Sequence, residues 1–508
     1  MAFGVQEAIL GLLQVYGYEP SNHSLYALTG SFYNPGPYSG FLAMCLPLAL
    51  NEWLKGKRIW KHVALVALIL MVVVLPSGMS RTAWLAAVVA SCYVCGMRYR
   101  DRLYRYRKFF WVGVLLLAVS GIGAYHWKKD SADGRLLMWK VASRAVMEHP
   151  WQGVGWENVA GAYGDAQERY FASGAATEQE EYVAGAPEYV FNEYLQVAMA
   201  WGIPALCGIL LLVAVLFSLG HKSGQYGVCG ALLSLAVFAF ASYPFQFLEF
   251  ILSFLALLVA CAMGHRKVWV RVLALVLGIG LGIYAAGHRP TKDARRMFVE
   301  AHALHKAGKW WASTELLKET MKVSSVAMVL NIIGKNFQSM GQPKVAEHWF
   351  IRSTHRLPNR IYPYYLLAKL YVEHPEIFPR EKLEWAVKMV QEKEASSPNN
   401  QAYLGCGVAL LKYVGARGKS GSNDANAEYM AHLRNIMDQN HVKIQYVELG
   451  KVDLGGGGTI AYILANYGMQ VVDFGVPVLN MHSPFEVSSK ADVYEAYKGY
   501  KAFLQNMN

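Results

Sequence analysis

Long apolar runs in the first 290 residues constrain this chain more than any other feature. A helix that crosses a bilayer needs about 20 apolar residues, because each residue rises 1.5 Å through a hydrocarbon core about 30 Å thick. Runs of roughly this length recur up to residue 287, separated by short polar segments. Charged residues make up only 17% of the chain, whereas about a quarter is typical of soluble domains. We therefore predict an all-α polytopic membrane domain over residues 1–289.

The apolar runs predict both the spans and a break before one of them. A shorter helix at about 189–200 should precede the span that starts near residue 202. The predicted spans are 38–54, 59–77, 81–97, 109–126, 202–219, 226–243, 246–263 and 268–287.

Basic residues are concentrated in alternate loops between these runs, which predicts the orientation of the chain. They fall in 55–61, 98–108, 221–222 and 265–267. The positive-inside rule places such loops in the cytoplasm. The long 127–188 segment and everything after residue 288 then face the periplasm of a bacterial inner-membrane protein. The net charge of +12 therefore fits a membrane surface, and we expect no nucleic-acid partner.

The 127–188 segment is a candidate functional loop. It is too polar to lie in lipid and too long for a simple turn, and such loops on rigid scaffolds often carry binding or catalysis. It contains Arg135 and Arg144, and Arg81 starts a span from the same predicted side. A lone arginine at a membrane boundary can simply snorkel. Several arginines that face one cavity would instead suit a diphosphate, because guanidinium binds phosphate oxygens bidentately.

Four segments of this region resemble, in their order and spacing, the O-antigen ligase and polymerase superfamily. They are TGSFYNPGPYSGFLA, SGMSRTAWLA, DGRLLMWKVASRAVMEHPWQGVGWEN and FNEYLQVAMAWGIPAL. The resemblance covers about residues 1–265, and because members usually carry further spans before the NPGP-type motif, we expect an N-terminal truncation. It implies metal-independent transfer of a glycan from a polyprenyl diphosphate carrier, at the outer face of the inner membrane, without a cofactor. The implied acceptor is lipid A-core or another glycan.

The resemblance also implies roles for individual residues. Positive charge is needed where the leaving diphosphate develops negative charge, which assigns diphosphate contacts to Arg81 and Arg135. Asn192 and Glu193 would shape the acceptor side, whereas Phe191 stands where many members have a candidate histidine base. The further candidates are His149 for catalysis and Asn34, Arg144, Gly153 and Gly155 for substrate binding. An inactive or scaffold membrane protein is the alternative that Phe191 leaves open.

Residues 290–407 repeat loosely with a period of about 34 residues, the length of one helix–turn–helix unit. Gly308 and Leu317 recur as Gly341 and Phe350, and Pro358 ends that unit. The pattern resembles a tetratricopeptide array, which is an α-solenoid of about three units. Such an array is either a docking surface for a protein or glycan partner or a stable appendage.

Residues 408–508 resemble the C-terminal end of the M18 zinc aminopeptidases and predict a small α/β fragment. The motif MHSPFE places His482 where that family has a zinc ligand. A catalytic zinc needs about three protein ligands and a base, which the family supplies from upstream segments that we do not find here. We therefore expect zinc only if the tail were completed, and a zinc aminopeptidase is the third functional alternative. A chimeric reading frame, fused near residue 408, explains the combination.

Overall fold

The computed structural model describes residues 1–23, 26–100, 129–287, 293–395, 402–414, 423–449, 461–465, 467–479 and 486–506. The chain forms two compact units. The first comprises Met1–Met340 with His355–Pro358, and the second comprises Gly341–Thr354 with Asn359–Asn508. The predicted span 109–126 lies outside the described residues.

The apolar part of the first unit is a bundle of helices around one central helix. Helix α2 packs against α1, α3, α4 and α9, and its Tyr38, Leu42 and Ala43 are fully buried. The helices are α1 (Ala2–Val15), α2 (Pro35–Lys55), α3 (Ile59–Val74), α4 (Arg81–Arg98), α8 (Glu193–Lys222), α9 (Tyr226–Phe240), α10 (Leu248–Met263) and α11 (Val268–Gly287). Each predicted span within the described residues coincides with one of them.

Among the described residues, three segments are long and apolar enough to cross a membrane: Ile59–Gly78, Glu193–Lys222 and Val268–Gly287. The first joins α3 to a 3₁₀ turn, Leu75–Gly78. No residue of α11 is buried, as expected of a helix whose side chains face lipid. The number of crossings and their orientation stay predictions.

The predicted outer loop folds into three helices with their own apolar core. They are α5 (Lys129–Glu148), α6 (Val159–Ala172) and α7 (Glu178–Val183). Leu137, Val141 and Tyr163 are buried in that core together with Met199 of α8. The loop is therefore a packed subdomain built on the first part of α8.

Helical hairpins follow in both units. The first unit continues with α12 (Ala294–Lys306), α13 (Trp310–Val323) and α14 (Met328–Ser339), of which α13 packs against both neighbours. Next come α15 (Pro343–Arg356), which crosses the boundary between the units, and the paired helices α16 (Ile361–Glu373) and α17 (Arg380–Ala395) of the second unit. Consecutive helices that pack on each other are what the repeat pattern predicts, and a tetratricopeptide solenoid stays a prediction.

The second unit ends in a small mixed sheet flanked by helices. Strand β1 (Val408–Val414) pairs in parallel with β3 (Ile444–Leu449), and antiparallel with β2 (Asn423–Asp424) and β4 (Asp473–Gly475). The remaining elements are α18 (Ala427–Gln439), α19 (Ala461–Ala465), the hairpin β5 (Val478–Leu479) and β6 (Val487–Ser488), and α20 (Lys490–Asn506). Buried Asp492 of α20 accepts hydrogen bonds from the Gly405 and Gly407 backbone N–H groups, which fixes the start of β1 on α20.

Candidate functional site

A cavity of about 650 Å³ lies in the first unit where several helix ends and loops converge. Residues from seven separate chain segments line it, and three of them are the predicted site residues Asn34, Arg81 and Arg135. The lining consists of Val15, 26–28, 34–37, 77–82, Arg135, Phe191 and 241–243.

The N-terminus of α2 forms one wall of the cavity. Asn34 caps the helix, because its Oδ1 accepts a hydrogen bond from Gly36 N at 2.8 Å. Pro35 follows at the first helical position, where its fixed φ suits a helix start and no N–H is needed. The NPGP motif is thus a helix-start signal that directs the positive end of the helix dipole into the cavity.

Helix α1 holds the loop that leads to this wall. Gln14 Oε1 accepts hydrogen bonds from Thr29 N and Gly30 N, and Glu7 accepts from Ser31 N and Oγ. Gly30 has a φ of 58°, and a Cβ there would lie 2.2 Å from the Tyr38 ring. The TGS segment therefore needs a glycine, and α1 belongs to the architecture of the site.

Arg81 enters the cavity from the turn that precedes α4. A Cβ at Gly78 would lie 1.9 Å from Ser39 Oγ, so only glycine lets this turn approach α2 closely. Met79 then takes the left-handed conformation with a φ of 49°, and α4 starts at Arg81. A second helix N-terminus thus faces the same cavity as that of α2.

Arg135 reaches the cavity from α5 and is held by contacts from three other segments. Its Nη1 donates to Ala241 O at 3.0 Å and approaches Thr82 Oγ1 at 3.5 Å. Its guanidinium lies over the Phe191 ring at 5.5 Å. Burial, and secondarily the positive charge of Arg81, lowers the pKa of Arg135. The guanidinium still carries its charge at physiological pH, since its ordinary pKa exceeds 12.

An aromatic group lies beside the two arginines. The Phe191 ring meets Tyr243 edge-on with centroids 4.7 Å apart, and Tyr243 stacks on Tyr189 at 5.5 Å. Phe191 has a φ of 54°, and its carbonyl accepts a hydrogen bond from Trp139 Nε1 at 3.3 Å. The sequence does not predict Phe191 or Tyr243 as site residues, and it marks Phe191 only as a departure from the family pattern.

The electrostatics of the cavity favour an anion. The described lining residues include two guanidinium groups and two helix N-termini but neither a carboxylate nor an imidazole. A negative charge between Arg81 and Arg135 would offset their mutual repulsion. Such a charge would be bound by groups whose positions are already fixed, so little further ordering is required.

Asn192 and Glu193 lie behind the cavity wall. Asn192 caps α8, because its Oδ1 accepts hydrogen bonds from Tyr194 N and Leu195 N. Glu193 is 3% exposed, and its Oε1 accepts a hydrogen bond from Phe245 N at 2.8 Å. Within the described part of the chain, its Oε2 has no hydrogen-bond partner. Both residues brace the segment that carries Phe191, and neither lines the cavity.

Four other predicted site residues lie away from this cavity. His149 is exposed just beyond the end of α5, and Arg144 lies over the Tyr170 ring at 4.4 Å. Gly153 and Gly155 join the outer loop to the bend of α8, where Gly155 N donates to Ala200 O at 2.9 Å. Their roles in substrate binding or catalysis stay predictions. His482 lies outside the described residues.

Comparisons with known proteins match two separate parts of the chain. Residues 66–210 match the O-antigen ligase family, and residues 393–504 match the aminopeptidase I zinc metalloprotease (M18) family. The chain carries segments of two families. The ligase-like segment contains Arg81, Arg135 and Asn192, and implies a membrane protein, in agreement with the three apolar helices.

The M18-like segment is similar to one part of larger proteins. It is 65% identical over 107 residues to the probable M18 family aminopeptidase 1 of Clostridium acetobutylicum, covering 21% of this chain and 23% of that protein. It is 49% identical over 115 residues to that of Thermotoga maritima, covering 23% and 26%. The chain therefore spans about a quarter of the length of these relatives.

Two solved structures are also similar to this segment. The crystal structure of aminopeptidase I from Clostridium acetobutylicum is 64% identical, with 22% of this chain and 24% of that chain covered and a TM-score of 0.20. That of the M18 family aminopeptidase from Thermotoga maritima is 39% identical, with 27% and 36% covered and a TM-score of 0.21.

The M18-like segment does not present a zinc site in the part of the chain that the structure describes. No three His, Cys, Asp or Glu side chains are grouped there in a way that can hold a metal ion. A catalytic zinc needs about three protein ligands, and the candidate ligand His482 lies outside the described residues.

Proposed function

We propose that the first unit is a glycosyltransferase of the O-antigen ligase type, and that its Arg81–Arg135 cavity binds the diphosphate of a polyprenyl-linked glycan. The observation that carries this proposal is the pair of arginines. They are 54 positions apart in the sequence and both lie in the ligase-like segment, yet they face one cavity whose described lining has no acidic side chain.

The rest of the lining supports the same class of substrate. Val15, Leu28 and Met79 are apolar, and Tyr26, Phe191 and Tyr243 are aromatic. A polyprenyl diphosphate glycan combines a hydrocarbon chain, a doubly charged linker and sugar rings. Each kind of group has a chemically matching set of side chains in this one cavity, since aromatic faces suit sugar C–H groups and apolar side chains suit the prenyl chain.

The arrangement favours catalysis by stabilisation of the leaving group. The acceptor hydroxyl oxygen attacks the anomeric carbon, the bond from that carbon to the diphosphate oxygen breaks, and its electron pair goes to the diphosphate. Arg81, Arg135 and the two helix N-termini would stabilise the developing charge. The hydroxyl proton would pass to solvent or to a base that is not among the described lining residues. No metal is needed for these steps.

The acceptor and the cellular location belong to the same proposal. Lipid A-core or another glycan would receive the sugar at the periplasmic face of the inner membrane, if the predicted orientation holds. The helical hairpins after α11 would then provide a surface for a protein or glycan partner in the same compartment.

Glycan transfer in proteoliposomes, with a polyprenyl diphosphate glycan as donor, tests this function. We expect Arg135→Ala and Arg81→Ala each to lower kcat/KM by about 10²- to 10³-fold, the usual effect of removing one charge-stabilising group. Arg135→Lys should recover only part of the loss, because ammonium does not bind phosphate bidentately.

Arg169→Ala is the matched control. Arg169 forms an exposed pair with Glu148 on the outer loop and does not line the cavity, so transfer should stay within about twofold of wild type. Transfer that survives both cavity substitutions would refute the site. A wild-type chain that never turns over the donor, although it binds it, would favour an inactive or scaffold protein, the alternative that Phe191 supports.

A further inference from the structure

We infer that α12 lies on the membrane surface, where its basic outer face binds anionic phospholipid headgroups. This inference concerns the anchoring of the helical hairpins and is independent of the proposed glycosyl transfer.

Helix α12 has two chemically distinct faces. Its inner face packs on α13 and includes Ala301, which is fully buried. At 100° per residue, Arg295, Val299 and Lys306 cluster on the opposite face, with Arg296 at its other edge. Val299 is 62% exposed, and both arginines and Lys306 are exposed. An apolar strip flanked by basic residues is the pattern of helices that lie in a membrane interface.

The charge of this outer face is not balanced within the described part of the chain. Arg295, Arg296 and Lys306 form no salt bridge there, and Asp293 is engaged in capping the helix through Arg295 N and Arg296 N. The neighbouring helix α13 differs, since its Lys318 and Lys322 pair with Glu315 and Glu319. Three of the exposed side chains of α12 are basic and one, Glu300, is acidic. The helix therefore keeps positive charge that an anionic partner can bind, whereas the lysines of α13 are already paired.

The tether to α11 identifies that partner as lipid. Helix α11 ends at Gly287 and Asp293 caps α12. The six Cα steps between these residues span at most about 20 Å even when fully extended. Helix α11 is long and apolar enough to cross a membrane, with Arg271 near its start, and it has no buried residue. We therefore take it to cross the membrane and to end near the headgroup layer. Helix α12 must then begin within reach of that layer, which is several ångströms thick.

Photocrosslinking of the full chain in nanodiscs tests this placement. p-Benzoylphenylalanine at position 303, on the outer face, should form adducts with lipid that are abundant in discs containing phosphatidylglycerol and scarce in pure phosphatidylcholine. A basic residue near an anionic surface contributes about fivefold in binding. The double reversal Arg295→Glu, Arg296→Glu should therefore lower the adduct yield by at least about twentyfold.

The control reversal Lys318→Glu, Lys322→Glu changes the net charge by the same amount on α13 and should leave the yield within about twofold. Hydrogen exchange of the α12 amides in each variant establishes that the helix is still folded. Equal adduct yields in neutral and anionic discs, equal losses from both reversals, or no lipid adduct at all would each overturn the proposal.

Discussion

The Phe191 ring helps to fix the position of the Arg135 guanidinium in the cavity. The ring lies under the guanidinium at 5.5 Å, and a cation over an aromatic face gains attraction when it is partly desolvated. The ligase-like pattern often has a histidine at this position, and a phenyl ring cannot transfer a proton. Phe191 therefore orients a cation where a histidine would also act as a base.

We predict that Phe191→His makes transfer pH-dependent. The positive charge of Arg135 should lower the pKa of the new imidazole below its usual value of about 6.5, so transfer should rise with pH through about pH 6. The wild type should change less over the same range, because the described lining contains no imidazole and no carboxylate. A pH–rate profile measures this, with Phe191→Leu as the control that removes the ring without adding a base. A flat profile for the histidine variant would contradict the prediction.

Glu180 ties α7 to the rest of the outer loop. Its carboxylate accepts hydrogen bonds from Lys140 Nζ at 2.6 Å, Tyr170 OH at 2.7 Å and Thr177 N at 3.0 Å. Partial burial opposes ionisation, but these three donors outweigh it and lower the pKa of Glu180 to about 2.

We predict that Glu180→Gln destabilises the loop by about 1 kcal/mol at neutral pH, given that the pair with Lys140 is partly exposed. A carboxyl with a depressed pKa stabilises the folded state above its unfolded pKa of about 4.5, and this contribution is lost as the pH falls towards 2. The difference between wild type and variant should therefore be constant above about pH 5 and vanish near pH 2. Hydrogen exchange of the 177–183 amides measures it. Glu178→Gln, an exposed change on the same helix, should have no comparable effect.

At the scale of whole elements, the bend in α8 connects the apolar bundle to the outer loop. Gly202 has a φ of 83° and interrupts the helix, and Ile203 N donates to Pro150 O at 2.8 Å. On the loop side, Gly153 has a φ of 66°, and Val154 N donates to Met199 O. The backbones of the two segments are therefore in direct contact at this junction. Neither Gly153 nor Gly202 has room for a side chain.

We predict that Gly202→Ala lowers the free energy of unfolding by more than about 2 kcal/mol, because both strain and steric overlap oppose it. The added Cβ would lie 2.3 Å from Trp151 O at a positive φ. Gly208→Ala in the same helix is the control, since its Cβ would meet nothing within 4 Å and alanine favours helix. Thermal unfolding in detergent compares the two variants. Equal melting temperatures would show that the junction tolerates a side chain.

At the scale of the whole first unit, a buried arginine links the outer loop to a segment almost 200 residues later. Arg356 is fully buried and pairs with Asp165 and Glu168 of α6. Helix α6 can approach α13 closely because Gly161 and Gly164 have no side chains, and a Cβ at Gly161 would lie 2.2 Å from Lys322 O. Helix α13 and Arg356, both of the first unit, thus brace the loop that carries Arg135.

We predict that Arg356→Met destabilises this contact by about 3 kcal/mol, because two carboxylates lose a buried partner. Limited proteolysis should cut the 127–188 loop faster than in wild type. The same substitution at Arg360, which is exposed, should not change the cleavage rate. Unchanged cleavage in Arg356→Met would mean that the loop is held by other contacts.

The M18-like segment leads to a prediction for the complete chain. The relatives are about four times longer than the matched segment, and the described residues hold no group of three metal ligands. We predict that the purified chain binds zinc well below one equivalent and cleaves no aminopeptidase substrate, and that His482→Ala changes neither result. Elemental analysis and a peptide-cleavage assay measure this. Stoichiometric zinc that is lost in the variant would revive the peptidase alternative.

The sequence by itself determined the apolar helices of the described bundle that follow α1. It also predicted that Arg81 and Arg135 lie on the same side of the membrane. These follow from local properties, namely apolar run length, Pro and Gly signals at helix starts, and the sign of neighbouring loop charges. The break before residue 202 was also visible, because Gly202 and Pro204 interrupt an apolar run.

Only the tertiary structure decided which residues share the cavity. Phe191 and Tyr243 line it whereas Glu193 lies behind it, and Gly153 and Gly155 serve a backbone junction on α8. Sequence spacing predicts neither outcome, because side-chain direction in a loop depends on φ angles and packing partners that lie tens to hundreds of residues away. A charge pattern can place a residue on one side of a membrane, but only packing decides what it faces.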